Sequence, residues 1–298
     1  MRAYGKPDDG KPGDGRGDGT VADQTLQPIL TGLIGIDIQG SRSPAMHERE
    51  AAAQGLSLHY RLLDLGVAPD SDRDLAATLE LVRAGGYAGV NVTHPFKQRV
   101  MPLLDALSDE AQAIGAVNTV VFRDGRSTGH NTDSYGFAEG FERQLKGVAL
   151  DRVVQVGAGG AGAATAMAMV KLGCRALVIV DPQADRAADL VARLPGDVAR
   201  VATRDLAAEL ARADGLINAT PIGMDGHPGM PVDAALLHPG LWVADVVYFP
   251  LETALLRAAR ALGCRTAHGG DMAVFQAARA FDLFTGRHAD RARMAARF

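Results

Sequence analysis

A chain of 298 residues that is 47% hydrophobic and 22% charged can build a substantial core, in one large or two ordinary domains. Its formal net charge of -4 leaves no basic footprint for nucleic acid. No run reaches the roughly 18 apolar residues that cross a bilayer, and the N-terminus carries no apolar signal segment. The expectation is a cytoplasmic globular protein, monomer or homodimer, whose partners are small molecules rather than nucleic acid or membrane.

Residues 1–25 are rich in Gly, Asp and Lys and nearly free of large apolar side chains, so they read as a disordered arm unable to offset its ordering entropy. Residues 29–38 read as an apolar strand. Ser43-Pro44 then opens a helix, with Ser43 suited to capping free N–H groups and Pro44 to the first turn. After a strand at 58–63, Leu75, Leu79 and Val82 recur at helical spacing until Gly85-Gly86 stops the helix before a strand at 88–92. This alternation implies parallel pairing through helical crossovers. In the second half, 153–156, 176–180, 215–218, 242–247 and 264–267 read as strands. Helices are expected to about Leu172, over 253–262, and finally over 272–285, ending at Gly286. Cys174 and Cys264 each follow a glycine before an apolar run and read as buried thiols, not as a disulfide or metal pair, and no metal site is expected.

The strand at 153–156 leads directly into Gly157-Ala-Gly-Gly-Ala-Gly162 and an alanine-rich helix. In that context Gly157 permits a tight turn, Gly159 lets backbone approach a pyrophosphate, and Gly162 allows close helix–strand packing, while the helix N-terminus offers N–H donors to the anion. Asp181 ends the next strand, where a carboxylate commonly binds the adenosine ribose. That favours NAD over NADP, because a 2′-phosphate would need a cation beside this carboxylate and the chain has Pro182 there. Arg186, one turn later, can reach a phosphate, pair with Asp181 or stack on adenine.

Three polar blocks precede this loop: Asn91-Val-Thr-His-Pro-Phe-Lys97, Gly115-Ala-Val-Asn-Thr119 and Gly129-His-Asn-Thr-Asp133. Together they offer one amine, one carboxylate and several amides and hydroxyls in turn-like segments. Hydride cannot leave a carbinol carbon unless the hydroxyl proton also leaves, so alcohol oxidation needs a base within hydrogen-bond reach, and Lys97 coupled to Asp133 is the candidate. His47, His94 and His130 titrate in a useful range but read as polar structural residues.

With Ser41-Arg-Ser-Pro-Ala-Met-His47, Asn218-Ala-Thr-Pro-Ile-Gly-Met224, Asp245-Val-Val-Tyr248 and Gln276-Ala277 added, the ordered blocks resemble the shikimate dehydrogenase family. The resemblance runs from about Gly32 to Gly286 and is closest to the NAD-dependent quinate/shikimate dehydrogenase branch. It implies an α/β enzyme of two domains, an N-terminal α/β substrate domain and a Rossmann-type doubly wound dinucleotide-binding domain, with the active site in the cleft between them. The expected boundaries are 26–132 plus 269–298 for the first and 133–268 for the second. By the same resemblance Lys97 and Asp133 are catalytic. Ser41, Ser43, Asn91, Thr93, Asn118, Tyr248 and Gln276 would hold a substrate's carboxylate and hydroxyls. Gly157, Ala158, Gly159, Gly160, Ala161, Asp181, Arg186, Thr220, Met224, Val247 and Gly269 would meet the cofactor.

Gly40 before Ser41, Glu48 after His47, and Asp181-Pro182 in place of an Asn-Arg-Thr-like segment are features of the quinate/shikimate branch, whereas Ser43 stands where that branch commonly has threonine. The expected reaction is therefore interconversion of quinate with 3-dehydroquinate and of shikimate with 3-dehydroshikimate. The neighbouring alternatives are an NADP-dependent biosynthetic shikimate dehydrogenase, an aminoshikimate or aminoquinate dehydrogenase, and a non-catalytic sensor on the same scaffold, against which Lys97 and Asp133 argue.

Overall fold

The computed structural model describes residues 27–66, 71–202 and 205–296, so the arm expected at 1–25 lies outside the described residues. The first sheet contains β1 (Ile29–Gly35), β2 (Leu58–Asp64), β3 (Gly89–Val92), β4 (Ala106–Leu107), β5 (Thr119–Arg123) and β6 (Arg126–His130), in the order β2-β1-β3-β5-β6-β4. Its helices are α1 (Ser43–Ala53), α2 (Ser71–Ala84) and α3 (Asp109–Ile114), with α4 (Asp133–Leu145) leading out of it. β1, β2 and β3 are parallel, as the alternation implies.

The all-parallel expectation fails at β5, which runs antiparallel to both β3 and β6. The reason is local: Asp124 and Gly125 both adopt positive φ, 52° and 73°, and a two-residue turn of that kind matches the twist of a hairpin. The consequence is functional, because the hairpin returns the chain so that Asn118 and Asp133 flank the same strand ends.

The second sheet is parallel throughout: β7 (Val153–Val156), β8 (Leu177–Val180), β9 (Ala199–Val201), β10 (Gly215–Asn218), β11 (Trp242–Asp245) and β12 (Arg265–Ala267). Its order, β12-β11-β10-β7-β8-β9, is the doubly wound order, in which the succession of strands switches from one side of β7 to the other at β10. The crevice outside those two strand ends is where such sheets bind ligands. α5 (Gly160–Lys171), α6 (Ala184–Arg193), α7 (Leu206–Leu210) and α8 (Ala254–Ala261) accompany it.

The chain then returns as α9 (Gly270–Thr285), which packs against α4 at backbone distance. A methyl group on Gly136 would lie 2.6 Å from the Met272 carbonyl and 2.8 Å from the Gln276 nitrogen, so glycine is what lets the helices touch. The last helix is not α9, as expected, but a further short one, α10 (Arg291–Ala295). It is fastened to α1 by Arg293, whose guanidinium holds Glu50 through bonds of 2.7 and 2.8 Å. Cys174 and Cys264 are buried free thiols, and burial pushes the Cys174 thiol up to about 11.

Candidate active site

Lys97 sits in the turn after β3, where its carbonyl accepts the Val117 N–H at 2.8 Å and so ties the first polar block to the second. Asp133 is the first residue of α4, with its N–H donating to Asn131 Oδ1 at 3.0 Å. A carboxylate at a helix start is favoured by the dipole. The two side chains meet: Lys97 Nζ lies 2.6 Å from Asp133 Oδ2, while Asn118 Nδ2 donates to Asp133 Oδ1 at 2.9 Å. With Lys97 at 24% and Asp133 at 7% side-chain exposure, the carboxylate is enclosed and the amine keeps an open side.

Polar partners extend from this pair. Asn118 Oδ1 accepts the Thr132 N–H at 2.8 Å and the Thr119 hydroxyl at 3.0 Å. Thr119 accepts in turn from Asn91 Nδ2 at 3.0 Å, and Asn91 Oδ1 takes the Tyr60 hydroxyl at 2.8 Å. Tyr60 also hydrogen-bonds the Ser43 side chain, and burial pushes its phenol well above the ordinary range. Ser43 does not cap α1 as expected, since the N-cap is Arg42 with no side-chain cap; the Ser43 N–H instead donates to Ser41 Oγ at 3.2 Å. Gln276 reaches in from α9, with Oε1 accepting the Thr132 hydroxyl at 3.4 Å. Thr93 is half-buried, with its methyl group against Gly35 of β1. Thr119 and Thr132 lie in the quoted polar blocks without an assigned role, whereas Tyr60 escaped notice because a buried tyrosine on an alternating strand looks like core and only the sheet order shows what it touches.

On the other sheet the glycine loop has the geometry its spacing suggests. Gly157 has φ 104°, and a methyl group on Gly162 would lie 2.3 Å from the Gly157 carbonyl. Around Gly159 no atom of the described residues lies within 4 Å of the missing side chain, so the loop faces open space among them at the N-terminus of α5. A side chain on Gly160 would meet Lys97 Cδ at 3.7 Å, which places the start of α5 beside the Lys97 stem. Asp181 receives the Ala158 N–H at 2.8 Å and the Gln183 N–H at 2.9 Å, one on each oxygen. Thr220 packs beside Gly157, and the Gly269 N–H donates to the Val247 carbonyl at 3.2 Å. Arg186 on the first turn of α6, Met224 after β10 and Tyr248 after β11 are exposed. The Arg42 guanidinium, just before α1, lies 5.9 Å from the ring centre of Phe249 in the loop after β11.

Among the described residues no cluster of three His, Cys, Asp or Glu side chains is arranged to hold a metal, and no helix is long and apolar enough to cross a membrane.

Two α/β domains, one a doubly wound sheet whose glycine loop faces a polar cleft, have the architecture of a dinucleotide-dependent oxidoreductase. Residues 33–120 match the shikimate dehydrogenase substrate binding domain, and residues 140–222 match the shikimate / quinate 5-dehydrogenase family. Over 280 residues the chain is 54% identical to a shikimate dehydrogenase (NADP(+)) of Streptomyces avermitilis, covering 91% of this chain and 95% of that one. It is 49% identical to a quinate/shikimate dehydrogenase (NAD(+)) of Corynebacterium efficiens over 276 residues, covering 91% and 97%. The solved structure of quinate dehydrogenase from Corynebacterium glutamicum in complex with NAD superposes with a TM-score of 0.84 at 47% identity, over 90% of this chain and 98% of that one. The chain belongs to the shikimate dehydrogenase family.

Proposed function

We propose that this protein is an NAD-dependent quinate/shikimate dehydrogenase, interconverting quinate with 3-dehydroquinate and shikimate with 3-dehydroshikimate, with Lys97 and Asp133 as its proton-transfer pair. The observation that carries this reading is the 2.6 Å contact between those two side chains, with the Lys97 stem lying beside Gly160 of the dinucleotide loop. Residues 26–132 and 269–298 form the substrate domain in this reading, and 133–268 the cofactor domain. The substrate's carboxylate and hydroxyls fall to Ser41, Ser43, Asn91, Thr93, Asn118, Tyr248 and Gln276.

The loop fits a dinucleotide: open space at Gly159 and the N–H groups starting α5 suit a pyrophosphate. When bound, the nicotinamide supplies the hydride acceptor or donor. The chain's own part is positioning and proton transfer. Lys97 takes the proton from the reacting hydroxyl during oxidation and returns it to the oxygen during reduction. Asp133, fixed by Asn118, holds the amine in line and accepts from a neighbouring substrate hydroxyl.

For the cofactor, both oxygens of Asp181 are already oriented by backbone N–H groups and each keeps a lone pair for a ribose hydroxyl. That supports NAD. The specific observation favouring NADP is Arg186, exposed one turn away, and relatives of both names are about half identical to this chain. A matrix of initial rates over quinate, shikimate, NAD and NADP tests the reading, with turnover of either substrate expected and higher kcat/KM for NAD. Replacing Asp181 with alanine is expected to cut kcat/KM for NAD by about ten- to a hundred-fold, the worth of hydrogen bonds to a charged group, and to spare NADP. A wild-type preference for NADP would sink the carboxylate argument.

A further inference from the structure

We propose that Asp245 is a positioning residue that joins the two cofactor-side loops into one unit and thereby sets cofactor affinity; this rests on the dinucleotide reading of the site. β10 and β11 pair in register so that Asn218 and Asp245 stand opposite each other at the strand ends, beside the point where the strand order switches. Asp245 is buried, and a carboxylate there persists only if its oxygens are satisfied.

They are, by three donors from three segments. Asn218 Nδ2 donates to Oδ1 at 2.9 Å, the Val247 N–H donates to Oδ1 at 3.0 Å, and the Thr253 hydroxyl donates to Oδ2 at 2.8 Å. The first bond fixes the orientation of the Asn218 amide. Its Nδ2 also donates to the Ile222 carbonyl at 3.0 Å, so its oxygen must face Thr220, from which it accepts the N–H at 3.0 Å and the hydroxyl at 2.7 Å. The second bond holds Val247 and, through the chain, Tyr248. The third sets Thr253, which caps α8 through the Leu256 N–H at 3.3 Å. One carboxylate therefore governs Thr220, Met224's loop and Val247, all assigned here to the cofactor. Burial pushes its carboxyl up to about 6 against the pull of these donors, as a group held for its hydrogen bonds and not for solvation.

The test is NAD and NADP affinity by calorimetry, without turnover, at pH 8 and at a temperature where circular dichroism shows every variant folded. Asp245→Val leaves three donors unpaired and is expected to weaken binding of the preferred dinucleotide about ten- to a hundred-fold. Asp245→Asn keeps one acceptor oxygen for Asn218 and Val247 and is expected to stay within about five-fold of the wild type. Thr220→Val should weaken binding in the wild type but add little in Asp245→Val, since the Asn218 link to Thr220 is already lost there. Folded Asp245→Val binding within two-fold of wild type, or a Thr220→Val effect equal in both backgrounds, overturns the inference. Wild-type protein that binds neither dinucleotide overturns it together with the functional reading, so the two failures are distinct.

Discussion

Lys97→Ala is expected to lower kcat by about a thousand-fold, within the range for loss of a positioned acid–base group, while the substrate KM stays within a few-fold of wild type. The asymmetry follows from the geometry. Asp133 remains held by Asn118 Nδ2 at 2.9 Å and by the start of α4, so the carboxylate keeps its place when the amine leaves. Substrate contacts assigned to Ser41, Ser43 and Gln276 come from the loop before α1, from α1 and from α9, which do not depend on the Lys97 side chain. What disappears is the acceptor for the hydroxyl proton, needed only as hydride departs. Steady-state rates at saturating cofactor measure this directly. Near-normal turnover would falsify the role of Lys97. A Lys97→Met variant, which keeps the stem against Gly160, should be as slow as the alanine and so separates lost packing from lost chemistry.

The strands at 153–156 and 215–218 were legible to the residue, because each is a short, mostly apolar segment fully buried in a parallel sheet, the first stopped by Gly157 and the second running from Gly215 to Asn218. The hairpin joining β5 to β6 was equally marked, by Asp124-Gly125, yet alternation with helices suggested crossovers throughout; a local turn signal outweighs a global pattern at that point. The candidate site divides the same way. Lys97 and Asp133 are 36 residues apart, but each lies in a polar block that sequence reading can single out. Tyr60 and Asn91 lie on strands separated by β1, and nothing near either residue announces that they share a bond across it. Asn218 and Asp245 stood in recognisable blocks, but their pairing needed strand register, which apolar runs alone do not specify.

His47→Leu is expected to remove much of the acid sensitivity of this protein between pH 6.5 and 4.5. His47 lies on α1 wholly enclosed among Tyr60, Phe281 and Phe284, with ring centres 4.9, 6.1 and 5.9 Å away. Neither ring nitrogen has a hydrogen-bond partner among the described residues, so burial alone pushes the imidazole down to about 3 from its ordinary 6.5. The folded state thus keeps His47 neutral where the unfolded chain takes up a proton. Stability from this group is fully present above pH 6.5 and is lost as pH falls toward 3, at up to about 1.4 kcal/mol per pH unit. Over two pH units that is about 2–3 kcal/mol, a large share of the roughly 5–15 kcal/mol that holds a typical domain. Asp245 acts in the opposite direction, because its raised carboxyl gains relative stability as pH falls through about 6. It is present in both proteins and cancels in the difference. Leucine also relieves two unpaired ring nitrogens, so stability at pH 7.5 should change by no more than about 2 kcal/mol. Urea midpoints from pH 7.5 to 4.5 for wild type and His47→Leu measure the effect, and parallel declines would show that His47 is protonated as readily in the folded chain as in the unfolded one.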